Sequence, residues 1–476
     1  MTDYPNIVII MTDQQQASAL PLYGNPVVQM PNLARFSEHA VTFNNAFTSC
    51  PLCVPARVSM FTGQYPSAHE SVDNSVLMTP GKDHMLKILK EHGYRTGLAG
   101  KNHCFRDPDL AFLDVFDSCG HWGPHSDDET YRKPMEYLRA CRELKGCWGY
   151  TRNPFPPEQL GTHWTTDRAV DFLRGKRTDP FFLWLSVPDP HIPFQTPEPY
   201  ASMYDPVDVD MPAFRENEMA GKPRAQQIDS AVMCADQVTE ETIRNVRAMY
   251  YGMNTYIDDE LGRFFNAMEE LNLFDNTVVV YVSDHGEYLG EHKMIRKSKA
   301  AYDCLTHVPL LMRCPGTGSF RTDEFVSLED IMPTVLQAAG IDIPPATQGR
   351  DLTPLLAGDP LPESRPFAYG EYGGTNKPVH DTDGIKTCAT PHSPDFSPQL
   401  KLGGFGKMRY LRTDAWKLVG YVDDQWELYD LEKDPYELDN LYNEPAYNKV
   451  KLDLQQRLIE HGMRTDTPGV STGNVS

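Results

Sequence analysis

The chain has 476 residues, enough for two domains with one of them large, and 40% apolar, 11% aromatic and 23% charged residues suit a buried core, not a disordered chain. A formal net charge of −22 argues against nucleic acid or an anionic membrane as a general partner, since either polyanion is repelled. It leaves room for a small anionic substrate in a locally basic pocket.

The opening "MTDYPNIVIIMTDQQQ" carries an apolar run too short for a signal peptide or a bilayer span, and no later segment is long enough either. The chain is therefore expected in the cytoplasm, with an earlier removed leader left open. Runs of strand length follow: "NIVIIM" (6–11), "TGLAG" (96–100), "FFLWLSV" (181–187), "TVVVYVS" (277–283) and "VPLLMR" (308–313). They are continuously apolar, as strands covered on both faces are. Between them lie helical patterns at 85–93, 240–271 and 328–340. This alternation predicts an α/β domain over 1–370, with a large, mostly parallel sheet flanked by helices. A looser Pro/Gly/Thr stretch (372–406) precedes an alternating pattern at 408–435 and a last helix near 443–462. Residues 371–476 are thus expected to form a smaller α+β domain on an antiparallel sheet.

Polar residues cluster just past the predicted strands. Asp13 and Gln14 follow the first, Lys101 and His103 the second, His191 the third, and Asp284 and His285 the fourth. Each alone reads as a helix cap or an ordinary core or surface residue. Together they sit at the carboxyl ends of strands, where open α/β sheets bind ligands.

The ten cysteines are scattered, and two fall in "CPLCVPARVSMFTG" (50–63). That stretch, with "NIVIIMTDQ", "GLAGKNH", "DPHIPF", "VSDHGEYLGEH", "THVPLLMRCPG" and "LYDLEKDPYELDNL", resembles the type I, formylglycine-dependent sulfatases of the alkaline phosphatase-like superfamily, in the family's order along nearly the whole chain. A Cys50/Cys53 redox pair would need a small redox domain, and a zinc site a second ligand pair, for which Cys141 and Cys147 are poor material. Cys50 is read as a small buried residue and Cys53 as the nucleophile precursor.

The resemblance implies that a formylglycine-generating enzyme converts Cys53 to an aldehyde, whose hydrate attacks the sulfur of a sulfate monoester. It implies one divalent cation, calcium first with magnesium or manganese as alternatives, held by Asp13, Gln14, Asp284, His285 and residue 53. Position 14 is commonly Asp in the family, so Gln14 removes one negative charge. Arg57, four residues beyond Cys53 on a helix, is expected to orient the nucleophile. Lys101 and His191 match sulfate-binding and leaving-group residues. His103 matches the base that later expels sulfate. A second pocket lysine is expected among Lys293, Lys297 and Lys299, with Lys297 favoured by spacing.

The expected substrate is a sulfated carbohydrate, ahead of an aryl or choline sulfate; homo-oligomers stay open. A phosphonate monoester hydrolase or a two-zinc phosphatase of the same superfamily is the alternative enzyme class, and a non-catalytic binding protein on the same scaffold the third. Lys-x-His argues against the phosphonate hydrolases, and the ligand set of a two-zinc site does not assemble. Trp122, Trp148, Tyr150 and Trp164, in the divergent segments, read equally as sugar-stacking platforms or as core.

Overall fold

The computed structural model describes residues 4–145, 148–175, 180–373 and 406–466. Its strands in chain order are β1 (Asn6–Thr12), β2 (Val41–Phe47), β3 (Arg95–Gly100), β4 (Val115–Gly120), β5 (Gly123–Pro124), β6 (Tyr150–Asn153), β7 (Phe181–Val187), β8 (Phe194–Pro197), β9 (Thr277–Ser283), β10 (Leu310–Arg313), β11 (Phe320–Ser327), β12 (Ala368–Tyr372), β13 (Met408–Arg412), β14 (Trp416–Tyr421) and β15 (Glu427–Asp430). Nine of them make the large sheet, in the order β11-β2-β10-β9-β1-β7-β3-β4-β5.

The apolar run of β1 explains the two layers. Ile7, Ile9 and Met11 enter one core while Val8 and Ile10 enter the other, all without solvent exposure. Side chains alternate across a strand, so a run with no polar member must be covered on both faces. β9 repeats this, dividing Val278, Val280 and Val282 from Val279 and Tyr281. One face carries the helices Gly161–Arg174 and Glu240–Glu270, and the other carries Cys53–Thr62, Met85–Glu91 and Ile331–Ala338. Truncating a central residue such as Ile9 to alanine costs about 2–5 kcal/mol.

β9, β1, β7, β3 and β4 are parallel. β10, expected among the strands of a parallel sheet, instead runs antiparallel to both β9 and β2. A parallel return needs a crossover element. Residues 284–306 hold only a short 3-10 turn (Glu291–Lys293) and the one-turn helix Asp303–Thr306, because that segment is given to the site.

β12, β13, β14 and β15 form a four-stranded antiparallel sheet, packed against the helix Asn448–Thr465 through Leu454 and Leu458. Its first strand contains residue 370. The sheet also braces the segment leading to residue 53: Glu371 N donates to Ser49 O (2.7 Å) and Tyr410 Oη to Thr48 O (2.7 Å). Residues 374–405, most of the stretch read from sequence as 372–406, lie outside the described residues. Among the described residues no helix is long and apolar enough to cross a membrane.

Candidate active site

The sheet order places the polar residues side by side. Along the carboxyl edge come Asp284 and His285 after β9, Asp13 and Gln14 after β1, His191 beyond β7, Lys101 and His103 after β3, and His121 after β4. Cys53 opens the helix Cys53–Thr62, so the thiol sits at the positive end of a helix dipole. It is 1% exposed.

Arg57 is fully buried, and its bonds decide what it does. Nε donates to Asp284 Oδ2 (2.9 Å), one terminal nitrogen to Asp13 Oδ2 (2.9 Å), and the other to Ser186 Oγ (2.8 Å) and the Lys101 carbonyl (3.1 Å). The guanidinium therefore clamps the two carboxylates, and any orienting effect on residue 53 passes through them. A charge buried this deeply is tolerated only when paired, and removing either carboxylate would leave it exposed to that cost. Burial opposes the charge of Arg57, but Asp284 and Asp13 more than compensate and raise its affinity for the proton.

One carboxylate oxygen each of Asp13 and Asp284, a His285 ring nitrogen and Cys53 Sγ all lie within 4.8 Å of one another. His285 Nδ1 donates to the Gly286 carbonyl (2.8 Å), which leaves the Nε2 lone pair aimed at Cys53 Sγ, 3.3 Å away. Asp284 Oδ1 accepts from the backbone of Gln14 and His285 (3.0 Å each). Gln14, in a left-handed conformation (φ 67), turns its amide oxygen to Lys297 Nζ (2.8 Å), while its amide nitrogen donates to the buried Glu287. Two carboxylates, an imidazole nitrogen and residue 53, with the Gln14 amide beside them, suit one hard or borderline divalent cation. The outer carbonyl and Glu287 fix which ligand atoms face it.

Lys297 Nζ lies 3.0 Å from Cys53 Sγ. Lys293 instead lies over the Phe214 ring (5.8 Å), and Lys299 pairs with Asp73 (3.1 Å). Lys101 Nζ bonds Asp13 Oδ2. Burial and the Asp13 carboxylate resist ionisation of the Cys53 thiol, yet Lys101, Lys297 and His285 overcome them and hold it well below the usual thiol range. For Asp13, burial is outweighed by the Lys101 ammonium and the Arg57 guanidinium, which keep it ionised. The pocket stabilises negative charge at residue 53.

His191 Nδ1 donates to the Ile192 carbonyl (2.7 Å), so Nε2 is its working atom. Burial, then its neighbour His121, push its proton affinity well below the ordinary imidazole value. His103 adopts φ 52, and its buried Nδ1 has no partner. Asp13, His121 and His191 form a second cluster within 4.8 Å, but the Lys101 ammonium already neutralises that carboxylate, which disfavours a second cation there.

Sequence reasoning passed over Glu287, Ser186 and His121. Glu287 stood inside a quoted motif, and its depth gave it meaning. Ser186 ends a strand otherwise read as core. His121 follows a strand too polar to stand out. Trp148 is fully buried, with Nε1 bonded to the Met233 carbonyl, and Trp164 is nearly so (8% exposed), so both serve the core. Trp122 lines a small cavity beside His121, and Tyr150 a groove with Arg152 and Tyr204.

A family model described as "Sulfatase" matches residues 5–341, and one described as "N-sulphoglucosamine sulphohydrolase, C-terminal" matches 405–464. An arylsulfatase of Clostridium perfringens is 30% identical over 385 residues, 74% of this chain and 78% of its own length. The phosphonate monoester hydrolase of Agrobacterium radiobacter superposes with a TM-score of 0.80 at 23% identity, covering 97% of this chain and 96% of that one. A structure described as in complex with its substrate D-glucosamine-2-N,6-O-disulfate superposes at 0.73 with 21% identity, covering 98% of this chain and all of the other.

Proposed function

We propose a reaction for this chain from one premise: it belongs to the sulfatase family. It is a sulfuric ester hydrolase. The family uses a divalent cation and a formylglycine. Here the nucleophile is residue 53, and the substrate class is a sulfated carbohydrate. The observation that carries the assignment is Cys53 at a helix N-terminus, 3.0 Å from Lys297 Nζ and 3.3 Å from His285 Nε2.

Since Cys53 is buried in the folded chain, the formylglycine-generating enzyme acts on Cys-Val-Pro-Ala-Arg (53–57) before folding closes over it. The aldehyde hydrate supplies an oxygen nucleophile, and the cation, held by Asp13, Gln14, Asp284, His285 and residue 53, supplies charge neutralisation at sulfate. Calcium suits a set in which three protein ligands offer oxygen. Lys101 and Lys297 bind the sulfate oxygens and stabilise charge that grows in the transition state. Arg57 keeps Asp13 and Asp284 ionised and fixed. His191, whose Nε2 is free of the backbone, assists the departing ester oxygen, and His103 takes the proton from the remaining hydroxyl of residue 53. The carbohydrate class draws support from the C-terminal match to the N-sulphoglucosamine sulphohydrolase model.

The test is sulfate release from a panel of sulfated mono- and oligosaccharides, with an aryl sulfate and a phosphonate monoester in parallel, using protein whose residue 53 is shown by peptide mass to be the aldehyde. Faster turnover of the phosphonate than of every sulfate would reverse the assignment.

A further inference from the structure

His121 stands between the two histidines of the proposed mechanism. β4 and β5 pair antiparallel with Gly120 opposite Gly123, so His121 and Trp122 form the two-residue tip of a hairpin. Gly123 takes φ +118, and a Cβ there would meet Met135 at 2.7 Å, so the tip is pinned from behind. The His121 ring stacks on His191, with centroids 3.7 Å apart and planes 19° from parallel. It meets His103 edge-on at 6.3 Å. One of its nitrogens or one of His191's lies within 4.8 Å of an Asp13 carboxylate oxygen, as part of the same compact group.

Its Nδ1 is buried and has no hydrogen-bond partner. An imidazole nitrogen left unsatisfied in the interior is destabilising. That cost is removed if a ligand group completes the bond. The ring lies against the face of the histidine assigned to the departing oxygen, so the ligand part within its reach is the leaving group.

We propose that His121 is a substrate-contacting, specificity-determining residue whose Nδ1 hydrogen-bonds a hydroxyl of the leaving group next to the scissile ester oxygen. Its stacked ring also holds His191 in plane, so that one side chain couples recognition of the alcohol to the group that assists its departure. The leaving group it selects is a polyhydroxylated one, a sugar with a free hydroxyl beside the sulfated carbon. An aryl sulfate offers no such hydroxyl. This inference rests on the sulfatase reading above and adds to it the part of the substrate that the site reads.

The test compares two substrates across two variants of the full chain with residue 53 matured. One substrate is a monosaccharide sulfate with an adjacent free hydroxyl, and the other is 4-nitrophenyl sulfate. His121→Phe keeps an aromatic ring against His191 and removes both nitrogens, whereas His121→Asn keeps a polar atom near the Nδ1 position. For His121→Phe the ratio of kcat/KM values, sugar over aryl, is expected to fall about 10–100-fold relative to wild type, the range for a lost hydrogen bond that leaves a substrate hydroxyl unpaired. His121→Asn is expected to recover most of that ratio. If the ratio is unchanged in His121→Phe, whether both activities fall together or neither does, His121 is structural and the proposal fails. If wild type releases sulfate from neither substrate, the sulfatase reading itself fails and takes this proposal with it. Thermal unfolding of both variants near the wild-type midpoint separates loss of recognition from loss of fold.

Discussion

Lys297 Nζ lies 3.0 Å from Cys53 Sγ, although 244 residues separate them along the chain. The contact joins the loop beyond β9 to the helix beyond β2, and it places an ammonium group directly against residue 53. Lys297→Ala should therefore lower kcat/KM for a sulfate ester by about 10²–10³-fold, the range for one preorganised charge-stabilising donor. Cys53→Ala should abolish turnover while the unfolding midpoint stays near wild type. Wild-type rates in Cys53→Ala would rule out residue 53 as nucleophile.

Asp284 serves both the cation and Arg57, so its loss has two consequences. Asp284→Asn should remove the bound cation, measured by elemental analysis, and lower turnover by several orders of magnitude. It should also cost stability, because the buried guanidinium then keeps only Asp13 as a charged partner. Glu287→Ala acts more gently: the Gln14 amide loses the acceptor that fixes its orientation, and cation affinity should weaken about 10–100-fold by calorimetry. Zinc as the only ion that restores chelated enzyme would contradict the calcium assignment.

The two mechanistic histidines should separate by leaving group. His191→Ala should slow a sugar sulfate far more than an activated aryl sulfate, whose phenolate departs without a proton. His103→Ala should bring both substrates to a similar low turnover and shift the mass of the peptide containing residue 53 after mixing with substrate. Strong leaving-group dependence in His103→Ala, with no mass shift, would show the two roles to be exchanged.

Stability should depend on pH through the buried Glu329. Burial raises Glu329 to about 7, against its ordinary 4.5, with the Ser327 and Ser49 hydroxyls opposing the shift. A raised acid binds its proton more tightly in the folded chain. Its contribution is fully present below about pH 4.5 and is lost as pH rises through about 7. Glu329→Gln should therefore flatten the decline in unfolding free energy between about pH 5 and 8, by roughly 1–3 kcal/mol across that window. An identical pH profile for variant and wild type would show that Glu329 does not titrate there.

Much of this protein was legible in the residues alone. The unbroken apolar runs of β1, β7 and β9 required a sheet covered on both faces, because alternating side chains leave no polar side to expose. Residues just past those strands had to share one edge, which put Asp13, Gln14, Lys101, His191, Asp284 and His285 together without coordinates. The motif around Cys53 carried its own chemistry. Other features depended on which distant segments meet, and no local pattern records that. The direction of β10 followed from a missing crossover helix. Among three lysines within seven residues, spacing favoured Lys297, but the contact of Lys297 with Cys53 and the turn of Lys299 to Asp73 come from the path of the loop. Glu287 became the acceptor that orients Gln14, and His121 the ring against His191, because strands far apart in sequence end at one edge of the sheet. Apolar periodicity is written into each segment, but a contact between two polar side chains exists only after the hydrophobic layers have fixed their backbones in space.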